Sequence, residues 1–163
     1  DTVISPRLIP RLQSGRLPII GDGENVVDLT YIENVVDALL LCAESSTNTL
    51  GKKYNISNGE PIKLWEWLRK ICDELGFQYP KLKISYPVAQ GLAAVLEGVF
   101  TLIPTHPEPP LTRMAVNMIA NSTTVDITAA KNELGYQSKV SVDEGFDKFM
   151  QWWKETHPSL RAR

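Results

Sequence analysis

The chain has 163 residues, of which 43% are hydrophobic and 22% charged, and its formal net charge is −2 at pH 7. These values are ordinary for a folded domain with its own core, and they exclude a disordered chain and a strongly basic nucleic-acid-binding surface. We therefore expect a single domain over residues 1–163 and no nucleic-acid partner.

In the first half of the chain, the spacing of apolar residues predicts helices separated by short strands. In chain order, the predicted elements are a helix at 7–16, strands at 17–20 and 26–32, a helix at 33–45, a strand at 51–57 and a helix at 62–76. Gly15 and Gly76 stand where a left-handed residue commonly ends a helix.

Both cysteines fall on the apolar stripe of a predicted helix. Cys42 belongs to the stripe of 33–45 and Cys72 to the stripe of 62–76. This placement predicts two buried free thiols rather than a disulfide or a metal site. Free thiols fit a reducing compartment, so we expect a cytoplasmic protein.

The second half continues the alternation of helices with short extended segments. The predicted elements are a strand at 81–87, a helix at 88–104, a proline-rich loop at 105–110, a helix at 111–121, an extended piece at 122–127 and helices at 128–136 and 141–158. Thr128 is the expected N-cap of its helix, and Ser141 with Glu144 forms a capping box. The last helix has an apolar stripe that includes Trp152 and Trp153. The whole pattern predicts a helix-rich α/β fold with too few strands for a complete doubly wound sheet.

The segment GDGEN at 21–25 has the spacing of the first two glycines of a dinucleotide-binding loop. Val26 stands where the third glycine belongs, and a predicted strand follows instead of a helix. A dinucleotide loop needs a helix N-terminus for the pyrophosphate. The sequence therefore predicts a turn between two strands.

Other catalytic and metal-binding patterns are weak. Tyr79 and Lys83 are four residues apart, as in the proton-transfer pair of short-chain dehydrogenases, but Pro80 and the alternation of 81–85 predict that they are not on a helix. The isolated histidines and the turn carboxylates are expected to be surface groups: His106, His157, Asp22, Glu24 and Asp28.

The order of several longer motifs resembles the C-terminal part of an extended short-chain dehydrogenase/reductase. These motifs are GDGEN followed by DLTYIENVVDA, then YNISNGEP, then ELGY. The nearest likeness is to the 3β-hydroxysteroid dehydrogenase and sterol-4-carboxylate dehydrogenase branch of the NAD-dependent epimerase/dehydratase superfamily. The resemblance implies a substrate-binding lobe with late elements of a Rossmann-type fold whose N-terminal part is absent. It also implies that the glycine-rich loop for NAD or NADP and the catalytic Tyr-x-x-x-Lys lie outside this chain, so that the chain alone binds no cofactor and is inactive.

The resemblance directs attention to three substrate-binding candidates. Related nucleotide-sugar epimerases often have an arginine two residues before the tyrosine of the DLTYI segment, where it binds a phosphate. Leu29 occupies that position here, which favours an apolar alcohol or ketone, such as a steroid, over a nucleotide sugar, although a leucine there is equally natural as part of the strand core. Tyr31 could reach the rim of the pocket, or pack inside the fold. Arg113, which follows the proline-rich loop, could face the substrate or form a surface ion pair.

The helix at 88–104 contains a single charged residue, Glu97. We interpret it first as a core helix or lid, second as a membrane-surface element and third as a span, for which it is short. A face that packs on the missing half would be exposed, so we expect self-association. Two further functions stay open: the C-terminal lobe of a nucleotide-sugar epimerase or dehydratase, and a stand-alone binding module without catalysis.

Overall fold

The computed structural model describes residues 5–105, 107 and 109–157. Its helices are α1 (Ser5–Gln13), α2 (Ile32–Glu44), α3 (Leu64–Leu75), α4 (Tyr86–Thr101), α5 (Arg113–Ala120), α6 (Thr128–Leu134) and α7 (Val142–Thr156), with a 3-10 turn at Thr47–Thr49. Its strands are β1 (Ile19–Ile20), β2 (Val26–Val27), β3 (Ile62–Lys63) and β4 (Lys83–Ile84). The helix-rich α/β architecture with short strands is confirmed.

The described chain divides into two compact units. The first unit contains residues 5–25 and 63–122, and the second contains residues 26–62 and 123–157. The expectation of a single domain over the full length stays a prediction.

In the first unit, helix α3 presents its apolar face to the core. The buried residues on this face are Trp65, Leu68, Ile71, Cys72 and Leu75. Gly76 ends the helix in the left-handed conformation, as predicted. Strand β1 pairs in parallel with β4, and Ile20 of β1 packs with Ala89, Ala93 and Val116 from α4 and α5.

In the second unit, helices α2 and α6 pack around a small apolar cluster. The buried members are Ala38, Ile127, Ala130, Leu134 and Tyr136. Helix α7 adds the buried residues Phe146, Met150 and Trp153. The predicted capping box is confirmed, because the Ser141 hydroxyl accepts a hydrogen bond from the Glu144 amide and the Glu144 carboxylate accepts one from the Ser141 amide.

All four predicted strands are shorter than predicted or missing. The strand predicted at 17–20 is only Ile19–Ile20, and the strand predicted at 81–87 is only Lys83–Ile84, because α4 already begins at Tyr86. The strand predicted at 26–32 is only Val26–Val27, and residues 52–58 form no regular strand. In the latter segment the carbonyl of Ile56 accepts a hydrogen bond from the hydroxyl of Thr30, and the carbonyl of Ser57 accepts one from the hydroxyl of Tyr136. Side chains therefore provide hydrogen bonds to residues 52–58 that a partner strand would otherwise provide.

Helix α2 is turned differently from the prediction. Its buried face is centred on Asn34 and Ala38, whereas Val36, Leu39 and Leu40 of the apolar stripe are exposed. Cys42 is exposed as well, so the prediction of a buried thiol is wrong there, although it is confirmed for Cys72.

Two smaller predictions about helix ends and faces are wrong. Helix α6 begins at Thr128, so this residue is not the N-cap; its amide instead donates to the Asp126 carboxylate at 2.8 Å. Trp152 is 44% exposed, because α7 buries the adjacent indole of Trp153 and the two cannot face the same side.

Candidate functional site

The GDGEN turn is a tight loop between β1 and β2. Gly21 and Gly23 have φ angles of 79° and 80°, which favour glycine. The Asp22 carboxylate accepts a hydrogen bond from the Glu24 amide at 2.9 Å, and Glu24 forms an ion pair with Lys63. Strand β2 follows the loop, so the turn lacks the helix that begins directly after a dinucleotide-binding loop and holds the pyrophosphate. The prediction of a turn is confirmed.

The first two substrate-binding candidates lie together just before α2, in the second unit. Leu29 is half-buried, and its carbonyl accepts a hydrogen bond from the Asn58 amide at 3.3 Å. Tyr31 occupies the N-cap position of α2, and its amide donates to the Asn58 side-chain oxygen at 3.0 Å. A single asparagine therefore fixes the backbone on both sides of Thr30.

A buried polar network extends from Asn58 to the loop before α7. The Asn34 side-chain amide donates to the Asn58 side-chain oxygen and to the Val140 carbonyl, both at 2.8 Å. Its own oxygen accepts from the Lys139 and Val140 amides at 3.0 and 3.1 Å. The Asn58 side-chain amide also donates to Val140, at 2.9 Å. We call these side chains and the 139–140 backbone the asparagine clasp, which ties together three segments distant in sequence.

The Tyr31 ring packs inside the second unit. An added Cβ at Gly145 of α7 would lie only 2.9 Å from Tyr31 Cδ2, so the glycine makes room for the ring. The Lys148 ammonium lies 5.2 Å from the ring centre and also forms an ion pair with Glu33. The hydrogen bond to Glu33 raises the pKa of Lys148. Tyr31 is therefore half-buried, with one face against α7 and a cation near it.

Arg113, the third candidate, begins α5 in the first unit and is held by Glu97 of α4. Its backbone amide donates to one carboxylate oxygen at 2.8 Å, and its Nε donates to the other at 2.6 Å. The amide and then the guanidinium lower the pKa of Glu97, so the carboxylate is charged at neutral pH. The alternative of an ion-paired arginine therefore describes Arg113 in this structure.

An open groove of about 760 Å³ adjoins this ion pair. Its lining includes Ala94, Gly98, Thr101, Pro109, Glu97 and Arg113. The lining also includes Phe100, so most of the wall residues are uncharged, and the charges of Glu97 and Arg113 neutralise one another. The groove therefore suits a ligand with little charge better than it suits an anion.

The remaining sequence candidates have ordinary structural partners. Tyr79 lies under the Arg69 guanidinium at 4.1 Å, and burial raises the pKa of its hydroxyl. Lys83 is in β4, so the prediction that the pair does not share a helix is confirmed. The ring of His157 stacks on Trp153 at 3.9 Å, and His106 lies outside the described residues. In the part of the chain that the structure describes, no cluster of three or more His, Cys, Asp or Glu side chains could hold a metal ion.

Comparison with known proteins identifies the family. Residues 1–88 match the 3-beta hydroxysteroid dehydrogenase/isomerase family. The chain belongs to this family. The resemblance stated from the motifs is thus confirmed.

Named relatives cover most of the chain but are much longer. The chain is 36% identical to 3beta-hydroxysteroid-dehydrogenase/decarboxylase isoform 2 of Arabidopsis thaliana, over 89% of the chain and 28% of that protein. It is 35% identical to human sterol-4-alpha-carboxylate 3-dehydrogenase, decarboxylating, over 93% of the chain and 42% of that protein. It is 34% identical to 2-alkyl-3-oxoalkanoate reductase of Stenotrophomonas maltophilia, over 89% and 45%. The chain therefore spans less than half the length of these relatives.

Solved structures show the same fold in part of larger proteins. UDP-glucuronic acid 4-epimerase from Bacillus cereus in complex with NAD has a TM-score of 0.58 at 20% identity, covering 91% of this chain and 38% of that one. UDP-glucose 4-epimerase from Thermotoga maritima has a TM-score of 0.53 at 25% identity, covering 91% and 38%. The fold is that of a portion of an extended short-chain dehydrogenase/reductase. Among the described helices, α4 included, none has the length and apolarity needed to cross a bilayer.

The sequence motifs located the segments of the candidate site but missed the residues that hold them. Asn34 and Asn58 form the asparagine clasp, and neither was singled out from the sequence. One signal was available, because Asn34 and Ala38 are four residues apart and therefore share a face of α2. An apolar stripe on the other side of the helix concealed it.

Proposed function

We propose that this chain is the substrate-binding part of an NAD- or NADP-dependent oxidoreductase that acts on a secondary alcohol or ketone with an apolar body, such as a steroid. The names of the relatives support this substrate class, since they include a hydroxysteroid dehydrogenase, a sterol carboxylate dehydrogenase and an oxoalkanoate reductase. The structural observation that carries the proposal is that the cations described at the three candidate residues are already paired with carboxylates: Arg113 with Glu97, and Lys148, beside Tyr31, with Glu33.

A nucleotide sugar presents a diphosphate, which proteins usually bind with arginine or with helix N-termini. Leu29 has no charge to offer, and the guanidinium of Arg113 is paired with Glu97 at 2.6 Å. A diphosphate would have to displace a carboxylate from Arg113 and leave that carboxylate without its partner. These contacts favour an uncharged, apolar substrate over the rival nucleotide sugar.

The cofactor would be held outside this chain, by the N-terminal Rossmann domain that the resemblance to extended short-chain dehydrogenases implies. The GDGEN turn is followed by a strand rather than by the helix of a dinucleotide-binding loop, and the chain accounts for less than half of each named relative. The exposed face of α2, with Ile32, Val36, Leu39 and Leu40, is the surface of the second unit that we assign to contact with this domain. Burying such a face would stabilise the contact by about 25 cal/mol for each Å² of apolar surface removed from water.

The test compares the protein that includes the preceding segment with the 163-residue chain. We expect the longer protein to oxidise a 3β-hydroxysteroid in the presence of NAD or NADP, monitored by reduced nicotinamide absorbance at 340 nm, and to bind UDP-glucose weakly by calorimetry. We expect that the 163-residue chain alone neither oxidises the steroid nor binds UDP-glucose. Tight UDP-glucose binding by the longer protein would favour the epimerase reading, and a longer protein without any turnover would favour a non-catalytic binding module.

A charge substitution tests the role of Leu29 directly. In the longer protein, Leu29→Arg should lower kcat/KM for the steroid at least about tenfold, because a cation would be placed in a site that we propose to be apolar. Leu50→Arg is the matched control, since Leu50 is 72% exposed in the same unit. Equal activity of the two variants would remove Leu29 from the site.

A further inference from the structure

Helix α4 has a continuous apolar stripe that faces away from the core of the first unit. The stripe consists of Val88, Leu92, Val95, Val99 and Leu102, which are between 49% and 84% exposed. The buried residues of the same helix, Ala89 and Ala93, lie on the opposite side. The backbone of Leu102, which caps the helix, is still right-handed helical. The stripe therefore extends along the full length of the helix, about 20 Å at 1.5 Å per residue.

The spacing along this α4 stripe is four, three, four and three residues. This is the heptad spacing by which one helix packs along another, with side chains that alternate as knobs and holes. Five half-exposed aliphatic side chains together present several hundred Å² of contiguous apolar surface, a size that marks interaction surfaces on soluble proteins.

The charges around the stripe favour a protein partner. Glu97 is the single charged residue of α4; it lies on the side away from the stripe and is occupied by Arg113. Helices that lie on anionic lipid surfaces are rich in lysine and arginine on the polar face, and α4 contains neither. Gly91 and Gly98 flank the stripe and have open space around the position of a side chain, which allows a second helix to approach closely.

The stripe is also nearly symmetric about its middle. Val88 and Leu102 are each seven residues from Val95, and Leu92 and Val99 are three and four residues from it. If two copies of α4 lie antiparallel, Val95 meets its counterpart on a two-fold axis, Val88 meets Leu102, and Leu92 meets Val99. Such self-complementarity is what an isologous dimer interface requires.

We propose that two copies of this chain associate through antiparallel pairing of their α4 helices, centred on Val95. The partner is a second copy because the stripe matches itself in both chemistry and spacing. This interface is separate from the α2 face that we assign to the N-terminal domain, so the two surfaces can be tested independently.

The first experiment measures oligomeric state by sedimentation velocity over a range of concentrations of the 163-residue chain. We expect a monomer–dimer equilibrium, and Val95→Glu should raise the dissociation Kd at least tenfold, because it brings two carboxylates together on the axis. Val95 is 63% exposed, so the variant should fold, as circular dichroism would verify. The matched control is Val36→Glu on the α2 face, which should leave the Kd unchanged.

A cross-linking experiment tests the orientation. In a Cys42→Ser background, Val88→Cys and Leu102→Cys chains should form a disulfide with each other when mixed, and much less with themselves. Self-linking of both, as in a parallel pair, would overturn the antiparallel geometry. The proposal also fails if the chain is monomeric at all concentrations, or if Val36→Glu and not Val95→Glu dissociates the dimer. It fails as well if the only effect of Val95→Glu is to abolish binding to phosphatidylcholine–phosphatidylserine vesicles, because the stripe would then contact a bilayer.

Discussion

Replacing Asn34 with alanine tests whether the asparagine clasp stabilises the second unit. Asn34 is completely buried and its side chain makes four hydrogen bonds. The acceptors on Asn58 and Val140 keep other donors when it is removed, namely the Tyr31 amide and the Asn58 side chain. The amides of Lys139 and Val140 lose the acceptor that they share.

The magnitude follows from these two amides. An unsatisfied buried donor costs about 1–3 kcal/mol, and Val140 is buried while Lys139 is exposed to water. One amide therefore carries most of the penalty, and the small void left by the side chain adds about 1 kcal/mol. We expect Asn34→Ala to lower the free energy of unfolding by about 2–4 kcal/mol, a large part of the roughly 5–15 kcal/mol typical of a domain.

The measurement is urea unfolding followed by circular dichroism, with Asn132→Ala as the control. Asn132 lies exposed on α6, so its replacement should change stability by less than about 0.5 kcal/mol. A loss below about 1 kcal/mol for Asn34→Ala would refute the reasoning, because it would mean that water or a local shift satisfies the Val140 amide.

A charged analogue of the same residue gives a pH signature. Asn34→Asp keeps an acceptor for the Lys139 and Val140 amides. Its second carboxylate oxygen, however, would face the side-chain oxygen of Asn58 and the carbonyl oxygen of Val140. Burial and these oxygens should raise the carboxyl pKa above its unfolded value of about 3.9. The folded state then binds more protons than the unfolded state, so stability should be highest below about pH 4 and fall as pH rises. A variant whose stability rises over that range would contradict this account.

Three further outcomes are expected. Gly145→Ala should cost about 1–3 kcal/mol, because its Cβ would lie 2.9 Å from the Tyr31 ring, and an unchanged melting temperature would count against that contact. Gly91→Ala should instead stabilise the chain by about 0.5–1 kcal/mol, since no atom lies within 4 Å of an added Cβ; a loss measured on dilute protein would show a hidden clash. Cys42 should react with a maleimide or disulfide reagent at pH 8 much faster than Cys72, whose thiol is buried and has its pKa raised by burial, and equal rates would show that the core opens readily.

The sequence allowed a close prediction of helices whose apolar residues form one stripe against a single core. Helix α3 is the best case, because its stripe is buried and Gly76 ends it in the left-handed conformation. The capping box of α7 was equally predictable, since its two hydrogen bonds join Ser141 and Glu144, which are only three residues apart. Local chemistry decided these features, so no distant contact was needed to predict them.

Helix α2 could not be oriented from its sequence, for a physical reason. The rule that apolar residues point inward assumes that the core beside the helix is apolar. Here the inward face carries Asn34, which is buried because Asn58 and the backbone at 139–140 satisfy its hydrogen bonds. These partners are distant in sequence, and only the folded chain shows that they meet.

The motifs that indicated the family meet in this same network. The DLTYIENVVDA segment supplies Asn34, the YNISNGEP segment supplies Asn58, and Tyr136 of ELGY donates its hydroxyl to the Ser57 carbonyl. These residues determine how three segments pack, and that requirement is the same whatever the substrate. Leu29 takes part only through its backbone carbonyl, so its side chain can be exchanged for arginine without removing a bond of the clasp. The motifs therefore specify the fold, whereas under the proposed function the choice between an apolar ketone and a nucleotide sugar would depend on side chains, such as Leu29, that the clasp leaves free to vary.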